Sequence, residues 1–194
     1  MSWMPTTRGG AVLRSAVLVL VLGAVCSAGA GPTVGAWSST VVGGDGMERA
    51  ATLACGERIE ALLGGAGPLA MTGKFPARVH GGDGAFTGTV TVAKTGNRVS
   101  GVTSPEADVF VAQAGKVVST PLPKDLIARQ INLGPGDSQV FSARGGIRQC
   151  AAGGSGVGEM LPSGRYAVVA VIVITRDDGP AVVATGGPWS LEVT

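Results

Sequence analysis

The sequence predicts an all-β fold, an antiparallel sandwich of about seven to eight strands, and three observations carry that expectation. Apolar and polar side chains alternate with period two from Phe86 to Val92, where Phe86, Gly88, Val90 and Val92 interleave with Thr87, Thr89 and Thr91. Such alternation marks a strand with one buried face and one wet face. Short runs rich in β-branched residues follow, most of them separated by Gly, Pro, Asn or Asp, which is the punctuation of strands and turns. The 33 glycines and 11 prolines among 194 residues suit a turn-rich chain, while 45% hydrophobic residues supply a core and argue against disorder.

The first thirty residues have a different character. Arg8 and Arg14 precede the apolar run Ser15 to Val25, and Ala28-Gly29-Ala30 follows it. That order of charged, apolar and small residues is expected of a secretory signal peptide cleaved after Ala30. The apolar run is shorter than the roughly 20 residues of a membrane-spanning helix. Two alternatives stay open, a retained anchor and a lipoprotein signal that would lipidate Cys26. Residues 31–50, rich in Gly, Ser and Thr and without periodicity, read as a flexible segment leading into a domain over 51–194, with Trp37 its one aromatic side chain.

Within the domain, Met47 to Leu63 is expected as a helix capped by Asp45, with Glu48 three residues on, although Gly56 falls in its middle. Gly64-Gly65-Ala66-Gly67-Pro68 ends it. After the alternating strand from Phe86, further strands are expected at Asp108–Gln113, Lys116–Ser119, Leu126–Leu133, Gln139–Ala143, Arg165–Thr175, Ala181–Thr185 and Ser190–Thr194. Ala167 to Ile174 is apolar at every position, as in a strand covered on both faces. Arg176-Asp177-Asp178-Gly179 supplies a hairpin turn, and Trp189 leads into the last strand as a core or sheet-edge packing residue.

Removal of the leader takes Cys26 with it and leaves Cys55 and Cys150. Outside the cytoplasm the two are expected to pair, closing a loop of about 95 residues that is worth about 4 to 5 kcal/mol in the chain-entropy model. The alternative is two separate buried thiols.

The turn Leu133-Gly134-Pro135-Gly136-Asp137 before Phe141, and Leu161-Pro162-Ser163-Gly164-Arg165-Tyr166, narrow the fold. The second resembles a tyrosine corner, which in immunoglobulin-like and fibronectin type III-like sandwiches returns a tyrosine hydroxyl to a nearby backbone group. In that resemblance Tyr166, the only tyrosine, has a structural role. Taken in order, FTGTVTVAKTGNRV, EADVFVAQAGKVV, the Pro-Gly turn and LPSGRYAVVAVIVI resemble the BsuPI-like proteinase inhibitor domain over residues 80–175. The chain is also similar to uncharacterised secreted proteins of high-GC actinobacteria that carry a cysteine pair. The resemblance implies a sandwich and, as an alternative function, protease inhibition through Ser119-Thr120-Pro121-Leu122-Pro123-Lys124, whose prolines would stiffen an exposed loop.

Residues suited to catalysis are sparse. There is one histidine, His80, in a glycine-rich turn, and only 14% of residues are charged. A phosphate loop ending at Gly73-Lys74 fails because Pro68 stands at its first glycine and Phe75 at its hydroxyl position. Gly153-Gly154-Ser155-Gly156-Val157-Gly158 lacks nucleophile-elbow and dinucleotide spacing and is expected to be a loop. The 15 basic and 13 acidic residues become 13 against 13 once Arg8 and Arg14 are removed, so the phosphate-binding footprint of a nucleic-acid protein is not expected. The sequence therefore leads to a non-enzymatic module without cofactor or metal. It would act on an unknown protein or glycan outside the cytoplasm, secreted or held in the envelope.

Overall fold

A computed structural model describes residues 53–63, 67–125, 127–151 and 157–194. The leader, Cys26, the 31–50 segment with Trp37, the Asp45 cap, most of the Gly64 to Pro68 stop, Leu126 and most of the Gly153 loop lie outside the described residues.

The chain is all-β. Helix α1 is a single turn, Glu60–Leu63. The strands are β1 Leu69–Lys74, β2 Arg78–Val79, β3 Ala85–Lys94, β4 Val99–Thr103, β5 Glu106–Gln113, β6 Lys116–Ser119, β7 Arg129–Leu133, β8 Ser138–Gly146, β9 Arg148–Cys150, β10 Val157–Met160, β11 Gly164–Arg176 and β12 Val182–Val193. They form a curled sheet in the order β1-β3-β8-β5-β11-β12-β2. The β6 strand lies on β5, a β4–β7 pair hangs from the end of β11, and β9–β10 stand as a separate ribbon.

Turn chemistry sets several registers. Ala114 and Gly115 both have positive φ between β5 and β6, the two-residue geometry whose twist matches a hairpin. Before β8, Pro135 precedes Gly136 at φ +84°, and the Asp137 carboxylate accepts the Gly134 amide at 2.7 Å. This turn docks on the end of β3, where Gly136 N donates to Lys94 O and Lys94 N to Asp137 O. Arg176 and Asp178 close the β11–β12 hairpin through a 2.7 Å ion pair.

Two apolar clusters lie on opposite faces of the β5–β11–β12 layer. The larger, between this layer and β1–β3–β8, includes Val90, Val109, Phe141, Val168, Ile172 and Leu191. The smaller lies on the outer face and joins Phe110, Val169, Val171 and Val183 to Leu53, Ile59 and Leu62. The all-apolar run of β11 thus faces both clusters, and the segment 53–63 forms a strap over the outer one. Backbone bonds hold the strap to β6 (Gly56 N to Val117 O, Val117 N to Glu57 O, Ile59 N to Gly115 O). Cys55 is joined to Cys150, with 6.0 Å between their Cα atoms.

The strap corrects the helix expected up to Leu63. Gly56 adopts φ +83°, and residues 56–59 spend their backbone groups on β6 rather than on a helix, so only the last turn winds. A second correction concerns strand direction. β2 runs parallel to β12 and β5 parallel to β8, which makes the sheet mixed rather than purely antiparallel. The two strands expected at 181–185 and 190–194 are one strand, β12, whose pairing with β11 shifts register between Val168 and Ala170. The strand expected from Leu126 begins at Arg129.

The disulfide closes a separation of 95 residues and anchors a strap that covers Phe110 and Val169. Cys150→Ser is therefore expected to lower the melting temperature of the oxidised protein by several degrees or more, given an upper value of about 4 to 5 kcal/mol. An unchanged calorimetric transition, with two titratable thiols in the wild type, would overturn this.

Lys94 gives a pH-dependent counterpart. It is buried, and its Nζ donates to Pro68 O at 3.0 Å, a carbonyl that Thr95 also serves through its amide and hydroxyl. Burial pulls the ammonium below its ordinary range. The unfolded chain then holds this proton more tightly, so the penalty is present below the folded value and fades as pH rises to the unfolded value near 10.4. Lys94→Met is expected to melt above the wild type at pH 7, with the gap shrinking as the pH rises towards about 10.4. A lower melting point for the variant at pH 7 would show that the bond to Pro68 outweighs the burial cost.

Candidate functional site

The site arises where two strands share one edge of a third. β5 pairs with β11 over Ala167–Val171, and β4 takes up the same edge only at Thr175 and Arg176. Between these contacts, Ile172 to Ile174 have no strand neighbour on that side. Thr103 partly fills the break: this buried residue donates Oγ1 to Val173 O at 2.7 Å. Unpaired backbone acceptors are costly in an interior, so a hydroxyl at this position allows the two strands to part.

The parting leaves a groove of about 290 Å³. Val171 and Val173 of β11 line it together with Val102 of β4, and Ile127 and Ala128 stand on the opposite side. Ile127 is 64% exposed. Three carboxylates and one ammonium complete the lining: Glu106 and Asp108 from the start of β5, then Lys124 and Asp125. The volume lies near the lower bound of ligand pockets, about 300 Å³.

Lys124 fixes the wall opposite β11. Its Nζ lies 2.8 Å from Asp108 Oδ1, both side chains being mostly buried, and donates to Glu106 O at 3.1 Å. Arg144 approaches the same corner, with Nε 4.0 Å from Glu106 Oε1 and Nη2 donating to Pro123 O at 3.3 Å. Asp125 is exposed and has no ion-pair partner among the described residues.

The residues singled out in the sequence lie elsewhere. Cys55 and Cys150 flank a second hollow of about 280 Å³, which Ser119 to Pro123 also line. That stretch is not the free loop expected of an inhibitory segment. Ser119 is buried and bonds Gly146 O, Thr120 to Leu122 and Lys124 are half-buried, and only Pro123 is exposed. Two prolines fix an extended course that presses the segment against β8 and β9 instead of lifting it away. The Tyr166 hydroxyl donates to Pro162 O at 2.7 Å, and burial holds the phenol above its ordinary range, so it stays a neutral donor. Trp189 is half-buried, its ring tilted against Phe75 with 5.1 Å between centroids. Its ring lies where a Cβ on Gly73 or Gly186 would fall, which gives both glycines a steric reason. His80 is exposed, with Nδ1 3.2 Å from the Thr194 hydroxyl.

Among the described residues no group of three or more His, Cys, Asp and Glu side chains is gathered as a metal site, and no helix is long and apolar enough to cross a membrane. The groove itself went unread in the sequence. Its one signal was Asp108, a carboxylate immediately before the apolar run Val109 to Ala112 of the strand EADVFVAQ.

No family model matches the chain, and no curated protein matches it. Among solved structures, the chain is similar to a β-glucosidase from Erythrobacter marinus, with a TM-score of 0.37 and 14% identity over 65% of this chain and 15% of that one. It is also similar to a β-glucosidase from Listeria innocua solved with isofagomine, with a TM-score of 0.36 and 12% identity over 64% of this chain and 16% of that one. The chain thus spans about a sixth of the length of these enzymes.

Proposed function

We propose that the protein is exported and acts outside the cytoplasm as a non-enzymatic, immunoglobulin-like interaction module that binds its partner in the groove beside β11. The groove carries the reading. It combines a concave apolar floor with a few fixed polar groups, the usual make-up of a binding site, and it places an exposed isoleucine on the lip. Among the described residues Val140 is the other large apolar side chain that is strongly exposed, and it stands on a strand face opposite Thr91.

Export is supported by the leader-like first thirty residues and by the Cys55–Cys150 bridge, a bond that persists in oxidising compartments. The immunoglobulin-like reading is supported by the Tyr166–Pro162 bond at the start of β11 and by two apolar layers packed face to face.

Two measurements test the proposal. Expressed with its own leader, the chain is expected in the envelope or medium with Gly31 as its first residue by Edman sequencing. A lipid-modified chain starting at Cys26 would make it a lipoprotein, and a full-length cytoplasmic chain would overturn export. The oxidised, processed protein used as bait in envelope and culture extracts is then expected to enrich a partner that Ile127→Asp fails to retain. Equal retention by bait and variant would place the interaction elsewhere.

A further inference from the structure

Resting on that reading of the groove, we infer that its occupant is an extended peptide segment of a partner protein that presents a lysine or arginine flanked by aliphatic side chains. The reasoning begins with charge. Once the leader arginines are set aside the chain is neutral, yet the groove concentrates Glu106, Asp108 and Asp125 against Lys124 alone. Lys124 is engaged by Asp108, and Arg144 reaches Glu106 from the far side of the corner. Among the described residues Asp125 is left as an exposed carboxylate without a paired cation, two residues from Ile127.

A carboxylate beside an exposed aliphatic side chain matches the two halves of a long basic residue. Its methylenes can lie along Ile127 and Val173 while the head group reaches Asp125. An acidic or phosphorylated ligand would meet Asp125 with both nearby cations already committed, Lys124 to Asp108 and Arg144 to Glu106, so like-charge repulsion disfavours it.

Shape points to an extended backbone. The groove follows the edge of β11 where strand pairing is interrupted between Val171 and Thr175, and its volume of about 290 Å³ suits one or two side chains rather than a folded element. Successive residues of an extended chain point to opposite sides, so a basic residue directed into the groove has its neighbours turned towards the rim.

The test is selection of randomised, phage-displayed heptapeptides on the oxidised full-length secreted protein, followed by fluorescence anisotropy with a synthetic copy of the enriched peptide. Enriched peptides are expected to carry Lys or Arg next to Val, Ile or Leu, and to lose affinity about tenfold or more on Asp125→Lys and on Ile127→Asp. Replacing the peptide's basic residue by Glu is expected to restore binding to the Asp125→Lys protein, which a merely misfolded variant would not allow. Raised salt should weaken the wild-type interaction. Enrichment of acidic or uncharged peptides, or loss on Ile127→Asp with none on Asp125→Lys, would overturn the basic partner while leaving the groove as the binding site. Failure to enrich any peptide, with extract capture also indifferent to Ile127→Asp, would overturn both.

Discussion

A strand that is apolar at every position from Ala167 to Ile174 must be covered twice, and most of this structure follows from that requirement. One face of β11 is buried by the β1–β3–β8 layer. The other would leave Val169, Val171 and the neighbouring Phe110 in water, a cost of about 1.5 to 3 kcal/mol for each large side chain. The strap at 53–63 removes it. With only one helical turn the strap has little cohesion of its own, so its position rests on the backbone bonds to β6 and on Cys55. The disulfide is therefore placed where short-range structure is weakest, at the point where a covering segment must be held against a sheet.

The same strand also creates the candidate site. β11 is 13 residues long, while β5 pairs with it over five positions and β4 over two. A partner edge made of two separate strands leaves a break, and Thr103 satisfies the acceptor at Val173 while filling only part of the space. Val171 belongs both to the strap-covered cluster and to the groove, so cover and site are continuous along one face of the sheet. The Lys124–Asp108 pair is mostly buried, and its value lies as much in fixing the Pro123–Lys124 corner as in net stability, because desolvation offsets much of the Coulomb attraction.

What the sequence disclosed follows from the range of the interactions. The alternation at Phe86–Val92 is a local consequence of one wet and one buried face, and Phe86, Val90 and Val92 are buried as it implies. The apolar run of β11 disclosed a strand covered on both faces but not its cover, because MERAATLACGERIEALL has the composition of a helix and only pairing with β6 makes it a strap. β1 and β4 were missed because LAMTGK and VSGVT carry glycine where a side chain would show the period. Gly73 is small for Trp189, and a Cβ on Gly101 would collide with Thr175 O. The parallel pairings of β2 and β5 involve partners distant in sequence, for which no local pattern exists. Most of the groove was illegible for the same reason, since Asp125 and Ile127 become neighbours of Asp108 and Val171 only after the sheet curls.

This division explains why function was harder to read than fold. Core residues announce themselves through period and composition, because each is selected against water by its own burial. The residues of the groove lie on three strands and a connection, and none is unusual alone: an isoleucine after a proline turn, an aspartate at a loop, a threonine at a strand end. Their meaning comes from the break in β11 pairing, a property of the assembled edge. In a chain with a net charge of only +2 and one histidine, such a break is where a concave surface lined by both apolar and polar groups arises. It sets backbone, apolar floor and a carboxylate with no ion pair among the described residues side by side, next to the face of the sheet that the strap covers.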